Sequence, residues 1–130
     1  MGMPAAKRGD RVTAVDTHLI VTPPGPVVPV PHAFAGALDG GLSRDVRIMN
    51  SPAATVGSTA SNRPPHVPQG GKFQREPANR GTVSAGSATV RINGKPAARA
   101  GDPVMTCNDP VDAPVGTIQS TGTVMIGDAP

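Results

Sequence analysis

The sequence predicts an all-β fold, a small domain of short strands and hairpins with little helix, and three observations carry that prediction. Glycine and proline supply 16 residues each of 130, so about a quarter of the positions do not suit a helix interior. Short runs of Val, Ile and Thr recur without a sustained helical period, and branched side chains fit a pleated strand. A six-residue unit, Pro-Ala-Ala-x-x-Gly, occurs three times, which predicts a pseudo-threefold architecture.

The copies start at Pro4, Pro52 and Pro96 and read Pro4-Ala5-Ala6, Pro52-Ala53-Ala54 and Pro96-Ala97-Ala98-Arg99. Val46-Arg47-Ile48 precedes the second copy and Val90-Arg91-Ile92 the third, each with proline six positions after its valine. The first copy begins too early to have such a strand. The C-terminal Val124-Met125-Ile126, with Pro130 at the same offset, is expected to supply it. The chain thus reads as one domain over 1–130, with units of about 1–48, 49–92 and 93–130. The last strand, 123–128, completes the first unit. Two further hairpins are expected, from Gly81-Thr82-Val83 to Thr89–Ile92 and from Gly116-Thr117-Ile118 to Thr123–Ile126, across Gly-containing turns.

Composition excludes several classes. There is no Trp or Tyr and only Phe34 and Phe73, so a large aromatic core is out. Leu, Ile, Val and Phe make up about a fifth of the chain, at the edge of the disordered range. Net charge is only +3, so self-repulsion does not keep the chain open. Basic residues are scattered without interleaved aromatics, which argues against nucleic acid as a partner. Five prolines between Pro23 and Pro31 interrupt the N-terminal region. No signal peptide and no membrane anchor are expected, and assembly is expected in the cytoplasm.

So little apolar bulk calls for a staple, and one cysteine cannot form an internal disulfide. The chain holds His18, His32, His66 and Cys107 as its soft donors. His18 and His66 each lie 14 residues after a Pro-Ala-Ala start and Cys107 lies 11 after the third. They are expected in corresponding loops that meet near the axis, with His32 reaching in from the insertion Val28-Pro29-Val30-Pro31. Three imidazoles and one thiolate are the donor count of a structural zinc, with iron(II) or another transition ion less favoured. A thiol or zinc hydrolase would need a free Cys107 or an open coordination position. With all four positions filled neither exists, and no catalytic residue is expected. Asp102, Asp109 and Asp112, near Cys107, read as turn caps.

The stretch Gly94-Lys95-Pro96-Ala97-Ala98-Arg99-Ala100-Gly101-Asp102-Pro103 contains the Pro-Ala-Ala-Arg motif, and with the other copies and the dispersed donors the chain resembles the PAAR-repeat proteins. The resemblance implies a small conical β domain that caps and sharpens the trimeric VgrG spike of a bacterial type VI secretion system. It implies zinc near the apex on His18, His32, His66 and Cys107. It also implies one cap per trimer, a monomer when free, export through the apparatus of a Gram-negative cell, and effectors carried non-covalently. Lys7 and Thr55 stand where Arg99 stands in the third copy, so Arg99 is expected to pair with a nearby carboxylate or carbonyl. An adaptor for another phage-like tail spike is the alternative.

Overall fold

The computed structural model describes residues 2–68 and 70–127. It is all-β, with no helix among those residues. In chain order the strands are β1 (Met3–Pro4), β2 (Arg11–Val21), β3 (Val27–Gly40), β4 (Arg47–Ile48), β5 (Ser51–Pro52), β6 (Thr59–Asn62) and β7 (Lys72–Phe73). Then come β8 (Arg80–Val83), β9 (Arg91–Ile92), β10 (Lys95–Pro96), β11 (Pro103–Thr106), β12 (Ala113–Gln119) and β13 (Met125–Ile126).

Six strands close on themselves: β2 pairs with β3, then β6, β8, β11 and β12 follow, and β12 returns to β2. Closure removes the exposed edges that so small a sheet would otherwise present. The barrel is filled by Val12, Phe34, Leu38, Val83, Val104 and Ile118, all essentially inaccessible. The β2–β3 ladder is much longer than its neighbours, running from Arg11↔Ala37 to Val21↔Val27. β12 joins β2 only at Arg11 to Thr13, and β6 joins β3 only from Gly36 onward. Beyond that level β7 alone flanks the hairpin, at Ile20 and Val21. The number of strands therefore falls along the axis, and the domain tapers. Pro29 and Pro31 sit in β3 where its outer side has no partner strand, so their missing N–H groups cost no ladder bond.

At the broad end stand three two-stranded ribbons: β1 with β13, β4 with β5, and β9 with β10. Met3 faces Ile126 and Pro4 faces Met125, so the N-terminal copy does take its strand from the far end of the chain. That strand is Met125–Ile126; Asp128, Ala129 and Pro130 of the expected segment lie outside the described residues. The two-residue turns Met49-Asn50 and Asn93-Gly94 have positive φ throughout (50°, 72°, 53° and 79°), the primed-turn geometry that matches strand twist. The hairpins expected from β8 to β9 and from β12 to β13 do not form. Ser87 turns the chain by bonding Ala97 O through its N–H (2.8 Å) and accepting the Thr89 and Val90 N–H groups. It thereby delivers β9 to the base, where Asn93-Gly94 folds it onto β10.

The three Pro-Ala-Ala copies meet on the axis. Ala54 N–H bonds Ala6 O (3.0 Å), Ala6 N–H bonds Ala98 O (2.9 Å) and Ala98 N–H bonds Ala54 O (3.0 Å), a closed ring of three bonds. All three methyl groups are fully buried, as are Ala53 and Ala97. Alanine is required because backbone meets backbone here, and a larger side chain has no volume to enter. Ile48, Ile92 and Ile126 pack beneath the ring with Ala5, Ala53 and Ala97. After each copy the same turn recurs: the Lys7, Thr55 and Arg99 N–H groups are accepted by Asp10, Ser58 and Asp102 at 3.0, 2.9 and 2.7 Å. Arg99 Nη2 then pairs with Asp102 Oδ1 at 3.0 Å, as Lys7 Nζ pairs with Asp10. The motif arginine closes its own turn onto a carboxylate.

Candidate metal centre

Alternation along β2 puts Val12, Ala14, Asp16, His18 and Ile20 on the inner face. Asp16 lies opposite His32 and Ala14 opposite Phe34 in the β2–β3 register. Ascending the taper, the lining changes from apolar at Val12 and Phe34 to polar at Asp16, His18 and His32. Ile20 and Phe73 close it again. His18 and His32 thus sit in strands, not in loops, because the prolines that suggested a loop around His32 occupy an edge stretch of β3. His66 and Cys107 do lie in non-strand segments.

The structure brings the three histidine rings together at this level and groups the donor atoms of His18, His66 and Cys107, but not those of His32, within 4.8 Å of one another. The His18, His32 and His66 ring centroids are 4.9 to 5.3 Å apart. It adds one residue that sequence reading left out, Asp16. Asp16, His18, His66 and Cys107 each offer a donor atom, and these atoms all lie within 4.8 Å of one another. Asp16 Oδ2 is 2.9 Å from His66 Nε2 and 3.5 Å from Cys107 Sγ, while Oδ1 accepts the Thr106 hydroxyl. His66 is seated by Asn79, whose Oδ1 accepts its N–H at 2.9 Å, and by Asn62 Nδ2, 3.3 Å from Nδ1. Phe73 covers His18 edge-on, its centroid at 5.5 Å.

Cys107 is carried from β11 and fixed by its successors. Asn108 Oδ1 accepts Thr17 N–H (2.7 Å), and Asp109 Oδ2 accepts Leu19 N–H (2.8 Å). Of the carboxylates near Cys107, Asp102 caps its turn, whereas Asp109 ties the Cys107 segment to β2. Arg75 Nε bonds Asp109 Oδ1 at 2.9 Å. Burial works against the Asp109 charge, but the Leu19 N–H and the Arg75 guanidinium outweigh it and hold this carboxyl below the usual range.

The electrostatics show what the cluster wants. Burial, followed by the neighbouring Asp16 charge, pushes the Cys107 thiol up to about 11. Burial first and His66 second lower the His18 pKa, so His18 is held neutral. Both nitrogens of this inaccessible ring lack a hydrogen-bond partner; Asp109 Oδ2, 3.5 Å from Nδ1, is near in charge but makes no bond. An unpaired buried imidazole is costly unless a lone pair has another use. A dication in the cluster would supply one, since it takes a neutral imidazole lone pair and offsets the anionic forms of Asp16 and Cys107. Oxygen, nitrogen and sulfur donors together fit zinc and neighbouring transition ions.

A tapered β domain on a three-sided base, with a cluster able to hold a metal ion in its narrow half, defines the class. Residues 74–130 match the family model described as the PAAR motif. The matched region carries Pro96-Ala97-Ala98-Arg99 and Cys107; the first two Pro-Ala-Ala copies precede it. Comparison with curated proteins and with solved structures returns no match.

Proposed function

We propose that the chain is the tip of a type VI secretion spike, seated by its broad end on a trimeric VgrG protein, one cap per trimer, with zinc locking the narrow end. The observation that carries this reading is the ring of Ala6, Ala54 and Ala98 with its three surrounding ribbons. A single chain that repeats one backbone arrangement three times about an axis can meet a threefold partner along that axis. The ribbons and their approaches also expose apolar side chains, Met49, Val90, Val124 and Met125, as a docking face would. His18, His66 and Cys107 are the proposed metal ligands, with His32 and Asp16 as the two candidates for the fourth position. Assembly in the cytoplasm followed by outward delivery, puncturing the target membrane, and effectors held non-covalently complete the proposal.

A thiol-enzyme reading fares worse, because a buried thiol raised to about 11 is a poor nucleophile at neutral pH. The test is co-elution of the metal-loaded chain with a trimeric VgrG on size exclusion, repeated with Val90→Asp and Met125→Asp. Wild type should join the trimer and the paired variant should not. Equal binding by both would remove the broad end as the docking face, and no binding by wild type would contradict the cap.

A further inference from the structure

We infer that Asp16, and not His32, is the fourth ligand of the metal centre, which makes the site one carboxylate, two imidazoles and one thiolate. The inference rests on the metal reading above and concerns which residues hold the ion.

His32 shares the inner face with Asp16, but it is not among the residues whose donor atoms lie within 4.8 Å of one another. Its Nδ1 lies 2.9 Å from Val30 O and its Nε2 lies 3.2 Å from Val67 O. Both are backbone carbonyl oxygens, acceptors only, so each attracts N–H and repels a lone pair. A neutral ring has a single N–H and donates to one of these carbonyls, while its second nitrogen also faces a carbonyl oxygen in this pose. His32 instead lines an outer cavity with Pro31, Pro64, Pro65, His66 and Val67, where it bridges β3 to the loop that carries His66.

Asp16 has the opposite character. It is fully inaccessible, and it faces the two donors it would share an ion with. Zinc bond lengths place neighbouring tetrahedral donors about 3.3 Å apart for oxygen and nitrogen, and about 3.5 Å for oxygen and sulfur. The observed separations are 2.9 Å to His66 Nε2 and 3.5 Å to Cys107 Sγ. Opening the first by a few tenths of an ångström is all that is asked. The Thr106 hydroxyl donates to the other oxygen, Oδ1, which fixes the carboxylate plane as an outer partner of a ligand does. The orphaned nitrogens of His18 are the independent sign that the cluster awaits an electrophile. Charge balances as well: one carboxylate and one thiolate neutralise a dication, and binding releases the thiol proton to solvent.

Two measurements test this on the full chain. In the first, zinc affinity is read by competition with a chromophoric chelator for wild type, Asp16→Ala, Asp16→Asn and His32→Gln. Loss of at least about 100-fold with Asp16→Ala and less than about 3-fold with His32→Gln is expected, since a lost ligand weakens a site more than the 10–100-fold of an outer-shell change. The reverse order overturns the assignment. The second needs no variant, so it holds even if Asp16→Ala does not fold: zinc-edge X-ray absorption of the loaded wild type. Two imidazoles, one sulfur and one further oxygen are expected; three imidazoles and one sulfur overturn it. Wild type that takes up no zinc overturns the metal centre as a whole, while leaving VgrG binding to be judged separately.

Discussion

At the residue scale, the donors differ in how visible they were. His18, His66 and Cys107 could be singled out from the sequence because they follow the repeat at similar offsets and because four soft donors in a core-poor chain invite a metal. Asp16 could not be found that way, since the carboxylates near Cys107 drew attention and those near His18 did not. The usable signal was the period of a strand: Asp16 and His18 are two apart and share the inner face of β2. Two predictions belong here. Cys107 should resist iodoacetamide in the metal-loaded protein and become labelled after chelation as the narrow end, no longer held by the ion, opens and exposes the thiol, since burial alone keeps it unreactive. Mass spectrometry reads the adduct, and rapid labelling of loaded protein would count against coordination.

The second concerns His18, whose folded pKa lies below its ordinary 6.5. As pH falls through that range the unfolded chain binds a proton that the folded chain refuses, so stability declines with acidification. The urea midpoint of metal-free protein should therefore drop between about pH 7.5 and 5.5, and drop less in His18→Gln. An unchanged midpoint would contradict a buried neutral His18.

At the element scale, the repeat was legible and the strand pairing was not. Pro-Ala-Ala and Val-x-Ile recurred clearly enough to place the N-terminal copy against the C-terminal strand, as Met3↔Ile126 shows. Yet β9 was assigned to β8, its predecessor, when Asn93-Gly94 carries the stronger hairpin signal and folds it onto β10. Local β propensity says that a run is extended, not which neighbour it meets; that is decided by turns such as the one Ser87 anchors. The alanine ring gives a sharp test. Ala54→Val inserts two methyl groups where three backbones meet and should cost about 1–3 kcal/mol, read as a lowered urea midpoint. Val67→Ala, at an exposed position, should cost less than about 0.5 kcal/mol. Comparable losses would mean that the ring tolerates bulk and that alanine there is not a packing requirement.

At the scale of the whole molecule, two ends do different work. The broad end is held by backbone bonds and packed isoleucines about a pseudo-threefold axis, and the narrow half encloses a polar layer that cannot be packed with hydrocarbon. A taper has too little interior for an apolar core, and a coordinated ion can hold several strands from a single point. Removing zinc should accordingly lower the thermal midpoint steeply, and the effect should grow with free zinc relative to its dissociation constant. Calorimetry with and without chelator checks this, and identical midpoints would deny the ion a structural part.

The central claim joins the two ends: one metal-loaded chain on a threefold partner. Native mass spectrometry of the chain mixed with trimeric VgrG counts both at once. A complex of one chain, one zinc ion and three VgrG subunits is the predicted mass. Three chains per trimer, or a zinc-loaded chain that forms no complex, would contradict the account.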